Sequence, residues 1–333
     1  MKFACFGAAG LMALALNPAF AQAEPSQTNQ DFMVLEAGVP ADLLPGAAVG
    51  DELGEYRFTV EFAPTQNNEF ALIKNMLQRS GVFSDVLDEL SDQIALPENV
   101  PVIFQECGNA NAYWSRDDHT VTMCYELAAQ FFDDYSMLDN KFAPIFPWAD
   151  HRQVTIGSTL FVLLHEIGHG MVTLFDLPIT GREEDVVDQF AIFILTNSDE
   201  EDQALAERPS RLALLASYGM MRTELPMERA PRHYWGDEHS LAKQRGMDML
   251  CLVFGSDPDA YALPVIPGFS MIADYAEQNP DAFTSPALIE ALNRTDDFNL
   301  IPWMRAQQCP MAYAKYEASW DYLIETFMTP KSN

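Results

Sequence analysis

The chain has 333 residues, 48% of them apolar, with 49 acidic residues against 19 basic ones and a formal charge of −30. Such a charge repels nucleic acid and anionic membrane surfaces, which argues against both as partners, while the apolar share is enough to bury a sizeable core. No apolar run reaches the roughly 18 residues that a membrane-spanning helix needs, so no membrane insertion is expected.

Lys2, an apolar stretch from Phe3 to Leu16 and small residues around Ala21 and Ala23 have the layout of a secretory signal peptide over residues 1–23. The protein is therefore expected to be exported, to the periplasm or the extracellular space. Four cysteines lie beyond that segment, Cys107, Cys124, Cys251 and Cys309, and an even count suits an oxidising compartment. Of the three possible pairings, the one between neighbours, Cys107–Cys124 with Cys251–Cys309, is expected. With no Cys-x-x-Cys in the chain, a structural zinc site built of thiolates has no support.

Residues 24–55, rich in Pro, Gly and Ala, read as a flexible leader, and residues 56–333 as a single domain. In its strand-bearing half, 56–150, alternation from Tyr56 to Phe62 predicts a strand, and helical spacing follows over Asn67–Gln78 and Val82–Gln93. Val100–Glu106 reads as a second strand, and Asn111–Trp114 with Thr120–Tyr125 as a hairpin. A helix over Glu126–Met137 comes next. Residues 151–197 hold two more, Arg152–Leu174, which must end before Pro178, and Arg182–Thr196. Residues 198–333 read as helical, broken by a loop over Asp257–Gly268. The expected class is α+β: a small N-terminal antiparallel sheet packed on the Arg152–Leu174 helix, followed by a mainly helical C-terminal half.

The Arg152–Leu174 helix contains His165-Glu166-Ile167-Gly168-His169 inside an apolar run. Residues four apart share a helix face, about 6 Å apart along the axis, so His165 and His169 can bind one tetrahedral Zn²⁺. Glu166 projects beside them, within reach of a zinc-activated water, as a general base and later acid. In a chain with six histidines, two in one apolar run would otherwise be costly buried polar groups. The third ligand must come from elsewhere, and Glu183, Glu184, Asp185 and Asp188 follow at a usable distance. Glu184 and Asp188 share a face with Val187 and Ala191 beside them. Glu184 is the expected ligand, with Glu183 and Asp185 as alternatives, and Asp188 is expected to orient His165. Glu183 would then be a surface or substrate-facing residue.

These residues resemble the gluzincin, or thermolysin-like, zinc metallopeptidases, whose third ligand is a Glu followed four residues on by an Asp that supports a zinc-binding His. The segment "NAYW" is similar to the edge strand of those enzymes, which implies that Asn111 and Ala112 bind the substrate main chain. The gap from Asn111 to His165 is longer than theirs, so an inserted helix must be accommodated. The clan stabilises the oxyanion with a His and a Tyr from its C-terminal half, for which "RHYWGDEHS" offers His233, Tyr234 and His239. Through "CGNANAYW", "CYEL", "LPITGREEDVVDQF" and "RAQQCP" the chain also resembles a family of exported bacterial proteins described as metallopeptidases, of unestablished substrate and pathway.

The expected function is thus an exported zinc endopeptidase with one Zn²⁺ per chain and a peptide or protein substrate. Two rivals are a catalytically silent, zinc-holding binding or scaffold module of the cell envelope, and a zinc hydrolase of a non-peptide amide.

Overall fold

The computed structural model describes residues 49–137, 146–198, 208–223, 238–268 and 299–330. The expected signal peptide, most of the expected leader, and His233 and Tyr234 lie outside them.

The chain enters at Val49, and Gly50 is already buried, its N–H donating to Ala95 O at 3.0 Å. Within the expected leader, Gly50 is thus joined to the loop at Ala95. Strand β1 (Phe58–Phe62) leads into α1 (Asn68–Ser80) and α2 (Val82–Gln93). The αL residue Gly81 (φ 73°) both ends α1 and begins α2, a conformation glycine adopts without a Cβ clash. Then come β2 (Val100–Gln105), β3 (Ala112–Ser115) and β4 (Thr120–Cys124), and helix α3 (Tyr125–Ser136).

The class is α+β as expected, but the small sheet is mixed rather than antiparallel. Its order is β1-β2-β4-β3, with β1–β2 and β2–β4 parallel and only the β3–β4 hairpin antiparallel. The reason lies in the connections. Parallel neighbours need a long crossover, which α1 and α2 supply between β1 and β2, whereas the short turn between β3 and β4 can only reverse the chain. The consequence for function is that, among the described residues, β3 is an edge strand.

Helix α4 (His151–Leu174) is the central element, meeting α3, β3 and β4 as well as α5 (Glu183–Asn197) and α6 (Ser210–Thr223). It starts at a capping box, in which Asp150 accepts from Arg152 N and Gln153 N while the Gln153 side chain accepts from Asp150 N. Most of its residues are buried, which explains why its sequence is apolar on every side.

Helices α7 (Ala242–Ser256), α8 (Pro258–Val265), α9 (Trp303–Ala306) and α10 (Cys309–Phe327) complete the described residues. Helix α8 replaces the loop expected over Asp257–Gly268. Asp257 caps it by accepting from Ala260 N, and Pro258 sits at its first position, where a missing N–H costs nothing. The Asp-Pro pair is a helix start that also reads as a turn.

The sulfurs of both expected cysteine pairs are at bonding distance; Cys107–Cys124 ties the β3 approach to β4, and Cys251–Cys309 ties α7 to α10. No described helix is long and apolar enough to cross a membrane.

Close packing on α4 depends on missing side chains. A Cβ on Gly157 would stand 2.6 Å from the Leu212 carbonyl oxygen of α6, a backbone atom that cannot swing aside. Gly157→Ala should therefore destabilise the protein by about 1–3 kcal/mol and lower Tm by several degrees. Gly181→Ala, whose Cβ would meet only Val186 at 3.8 Å, should leave Tm nearly unchanged in the same calorimetric comparison.

Candidate metal and catalytic site

The site lies where α4 and α5 come together. A Cβ on Gly168 would stand 2.8 Å from the Val187 Cβ, so only a glycine there lets the first turns of α5 reach the histidine face of α4. On the other flank of α4, Gly170 makes room for the Trp114 indole of β3, whose ring carbons would lie 3.2 Å from an added Cβ.

Across this junction His165 Nε2 is 3.1 Å from Glu184 Oε2, and His169 Nε2 is 3.5 Å from Glu184 Oε1. One ligand atom from each of the three residues lies within 4.8 Å of the others. Ligands bonded at about 2.0–2.2 Å to one tetrahedral ion stand about 3.3–3.6 Å apart, so the spacing fits a shared metal. A second observation agrees. Glu184 Oε2 is buried and makes no hydrogen bond, although the nitrogens of His165 and His239 lie 3.1 and 2.8 Å from it. Those nitrogens are near but not aligned on the oxygen, and for His165 this is what groups that converge on a common cation rather than on one another would show.

The outer nitrogens of both imidazoles are engaged. His165 Nδ1 is 2.8 Å from Asp188 Oδ1, and His169 Nδ1 is 2.7 Å from Glu183 Oε1. Each carboxylate fixes a ring with its Nε2 inward. Glu183 matches for His169 what Asp188 does for His165, while also reaching Arg116 Nη2 at 3.5 Å.

The sequence reading missed Arg245 of α7. Its Nε donates to Asp188 Oδ2 at 2.8 Å and its Nη2 to Asp188 Oδ1 at 2.7 Å, a two-point grip on the carboxylate that holds His165. Nothing local signals it: Arg245 is 57 residues from Asp188, within a helix whose spacing says only that one face is buried.

Burial sets the electrostatics, and the partners override it. Desolvation by itself would raise the Glu184 carboxyl, but His165, His169 and His239 hold it far below the usual carboxylate range. Desolvation would likewise raise Asp188, and Arg245 with His165 depresses it. Against their own burial, the two imidazoles are raised by the facing carboxylates, His165 by Asp188 and Glu184, and His169 to about 9 by Glu184 and Glu183.

Glu166 lies one residue from His165, and its Oε2 accepts from the Trp114 N–H of the edge strand at 3.0 Å. This hydrogen bond ties the carboxylate to β3. Since Asn111 O accepts from Cys124 N, the ladder alternates so that Ala112 and Trp114 turn their own peptide groups away from β4, onto the open edge. Of the C-terminal candidates, His239 is drawn to the site, with Nε2 against Glu184.

A comparison with curated proteins and another with solved structures each found no match. A family model described as "Putative metallopeptidase" matches residues 62–287, a span that holds β2, β3, β4, α4, α5, α7 and every group drawn together above. Covering well over half of the 333 residues, this match places the chain in that metallopeptidase family.

Proposed function

We propose that the protein is an exported zinc endopeptidase of gluzincin type, with residues 1–23 as its signal peptide and residues 56–333 as one catalytic domain. The observation that carries this reading is the convergence of His165 Nε2, His169 Nε2 and the Glu184 carboxylate beside a Glu166 tethered to an edge strand.

In this reading His165, His169 and Glu184 hold the ion, two neutral nitrogens and one carboxylate being a donor set that suits zinc over the oxygen-seeking calcium and magnesium. Bound there, zinc would supply Lewis acidity, polarising a scissile carbonyl and acidifying water. The substrate lies along the open edge of β3, pairing with the outward N–H and C=O of Ala112 and met by the exposed Asn111. Glu166, steadied through Oε2, takes the proton of the attacking water on Oε1 and returns it to the leaving amine. His239, beside Glu184, is the donor for the developing oxyanion. Asp188 with Arg245, and Glu183, keep the imidazoles inward.

Glu166→Gln keeps the shape and the metal donors but removes the proton acceptor. Cleavage of a denatured protein pool should fall at least 10²- to 10⁴-fold, while zinc per chain is unchanged. Equal cleavage by both proteins, or none by either while zinc stays bound, rules out the catalytic reading and leaves the scaffold alternative.

Glu184→Gln should lose zinc outright, measured as metal per chain after dialysis. Removing the outer partners should act more mildly. Asp188→Asn and Glu183→Gln are each expected to weaken zinc about 10- to 100-fold in a competition titration against a chelator. Arg245→Met should follow Asp188→Asn, since Arg245 acts on the ligand through that carboxylate. A double variant of the two should show no added loss.

A further inference from the structure

The cleft beside the donor set has a charge pattern that the acidic chain as a whole does not foretell. A cavity of about 520 Å³ opens against His169 and is lined, among the described residues, by Arg116, Arg182, Glu183, Glu184 and Glu238. Two of the chain's few cations therefore face one cavity in a protein with 49 acids and 19 bases. Of the three glutamates, Glu184 is enclosed by imidazoles and Glu183 is held by His169 at 2.7 Å, while Glu238 has no ion-pair partner among the described residues.

Both guanidiniums are only loosely engaged. Arg116 reaches Glu183 at 3.5 Å with its side chain 69% exposed, and Arg182 Nη1 reaches the Ser240 hydroxyl at 3.5 Å. By contrast Arg57, Arg208, Arg245 and Arg305 hold carboxylates at 2.7, 2.6, 2.7 and 2.8 Å. A guanidinium offers five donors in a fork that matches a carboxylate, so Arg116 and Arg182 retain donors for a ligand.

Their positions relate them to a bound peptide. Arg116 directly follows the edge strand β3, two residues past Trp114, whose N–H fixes Glu166. At about 3.3 Å per residue that is about 7 Å along an added strand. Arg182 is the N-cap residue of α5, next to Glu183 and Glu184 on the opposite wall. The overall charge of −30 opposes an acidic ligand at a distance, yet at physiological salt that repulsion is screened beyond about 8 Å, and contact inside the cleft decides.

We infer that Arg116 and Arg182 form an anion subsite that selects peptides carrying a carboxylate within a few residues of the scissile bond. The inference rests on the peptidase reading and adds a substrate class to it. A peptide antiparallel to β3 brings its N-terminal side to Arg116, where an Asp or Glu side chain supplies the carboxylate. A parallel one brings its C-terminal side, where a free C-terminus can supply it.

The test uses the zinc-loaded Glu166→Gln protein and fluorescence anisotropy with matched extended peptides. One pair carries Glu or Gln on the N-terminal side, and another has a free or amidated C-terminus. In one of the two pairs the carboxylate form should bind about tenfold tighter. Arg116→Gln with Arg182→Gln should abolish that preference, Arg→Lys at both positions should restore most of it, and Arg→Glu at both should turn it towards a Lys peptide. With Glu166 intact, the same preference should show in KM more than in kcat. Zinc per chain checks that each variant has folded. Equal binding within both pairs, or a preference that survives removal of both arginines, overturns the inference. Cleavage of all peptides without charge preference overturns it while leaving the peptidase reading intact; no peptide bound or cleaved defeats both.

Discussion

Two helices meet at a distance that only Gly168 allows, and the chemistry of this protein hangs on that approach. Because Val187 can press directly on the backbone of α4, the first turn of α5 lies over the face that carries His165 and His169. Glu184 then faces both imidazoles, Glu183 reaches one outer nitrogen and Asp188 the other. A methyl group at position 168 would push α5 outward and lengthen all four contacts at once.

Such a cluster is expensive to bury. Each charged group taken out of water costs several kcal/mol unless paired. The rest of the fold reduces the penalty through outward layers of partners, of which Arg245 on Asp188 is the clearest. Imidazole nitrogens gathered around one buried carboxylate, that of Glu184, make a cluster of perturbed groups for which metal chemistry gives a reason.

The sheet contributes at a different level. It is small and meets α4 through β3 and β4, and its antiparallel hairpin places β3 at the edge with peptide groups unclaimed by β4. The start of that strand is fixed by the Cys107–Cys124 link and by Glu126, which accepts from the backbone N–H groups of Cys107 and Gly108. Trp114, packed over Gly170, binds this edge to α4, so the strand and the carboxylate of Glu166 are positioned by the same contact surface.

Much of this was written locally in the chain. The His-Glu-x-x-His spacing, the pairing of Glu184 with Asp188 and the helix over Val82–Gln93 follow from short-range periodicity, because residues three or four apart on a helix must share a face. What the sequence could not decide was anything that depends on how elements lie across one another. Strand direction followed from which connections were long enough to cross over, so the expected antiparallel sheet proved mixed. Asp257-Pro258 served equally well as a turn or a helix start. Glu183 became a histidine partner, and Arg245 joined the site from 57 residues beyond Asp188, because tertiary packing set those distances. Local spacing thus determined which residues could meet on one helix; only the packing of α4, α5 and α7 decided which groups from different helices do meet, since no periodicity within one segment encodes its distance to another.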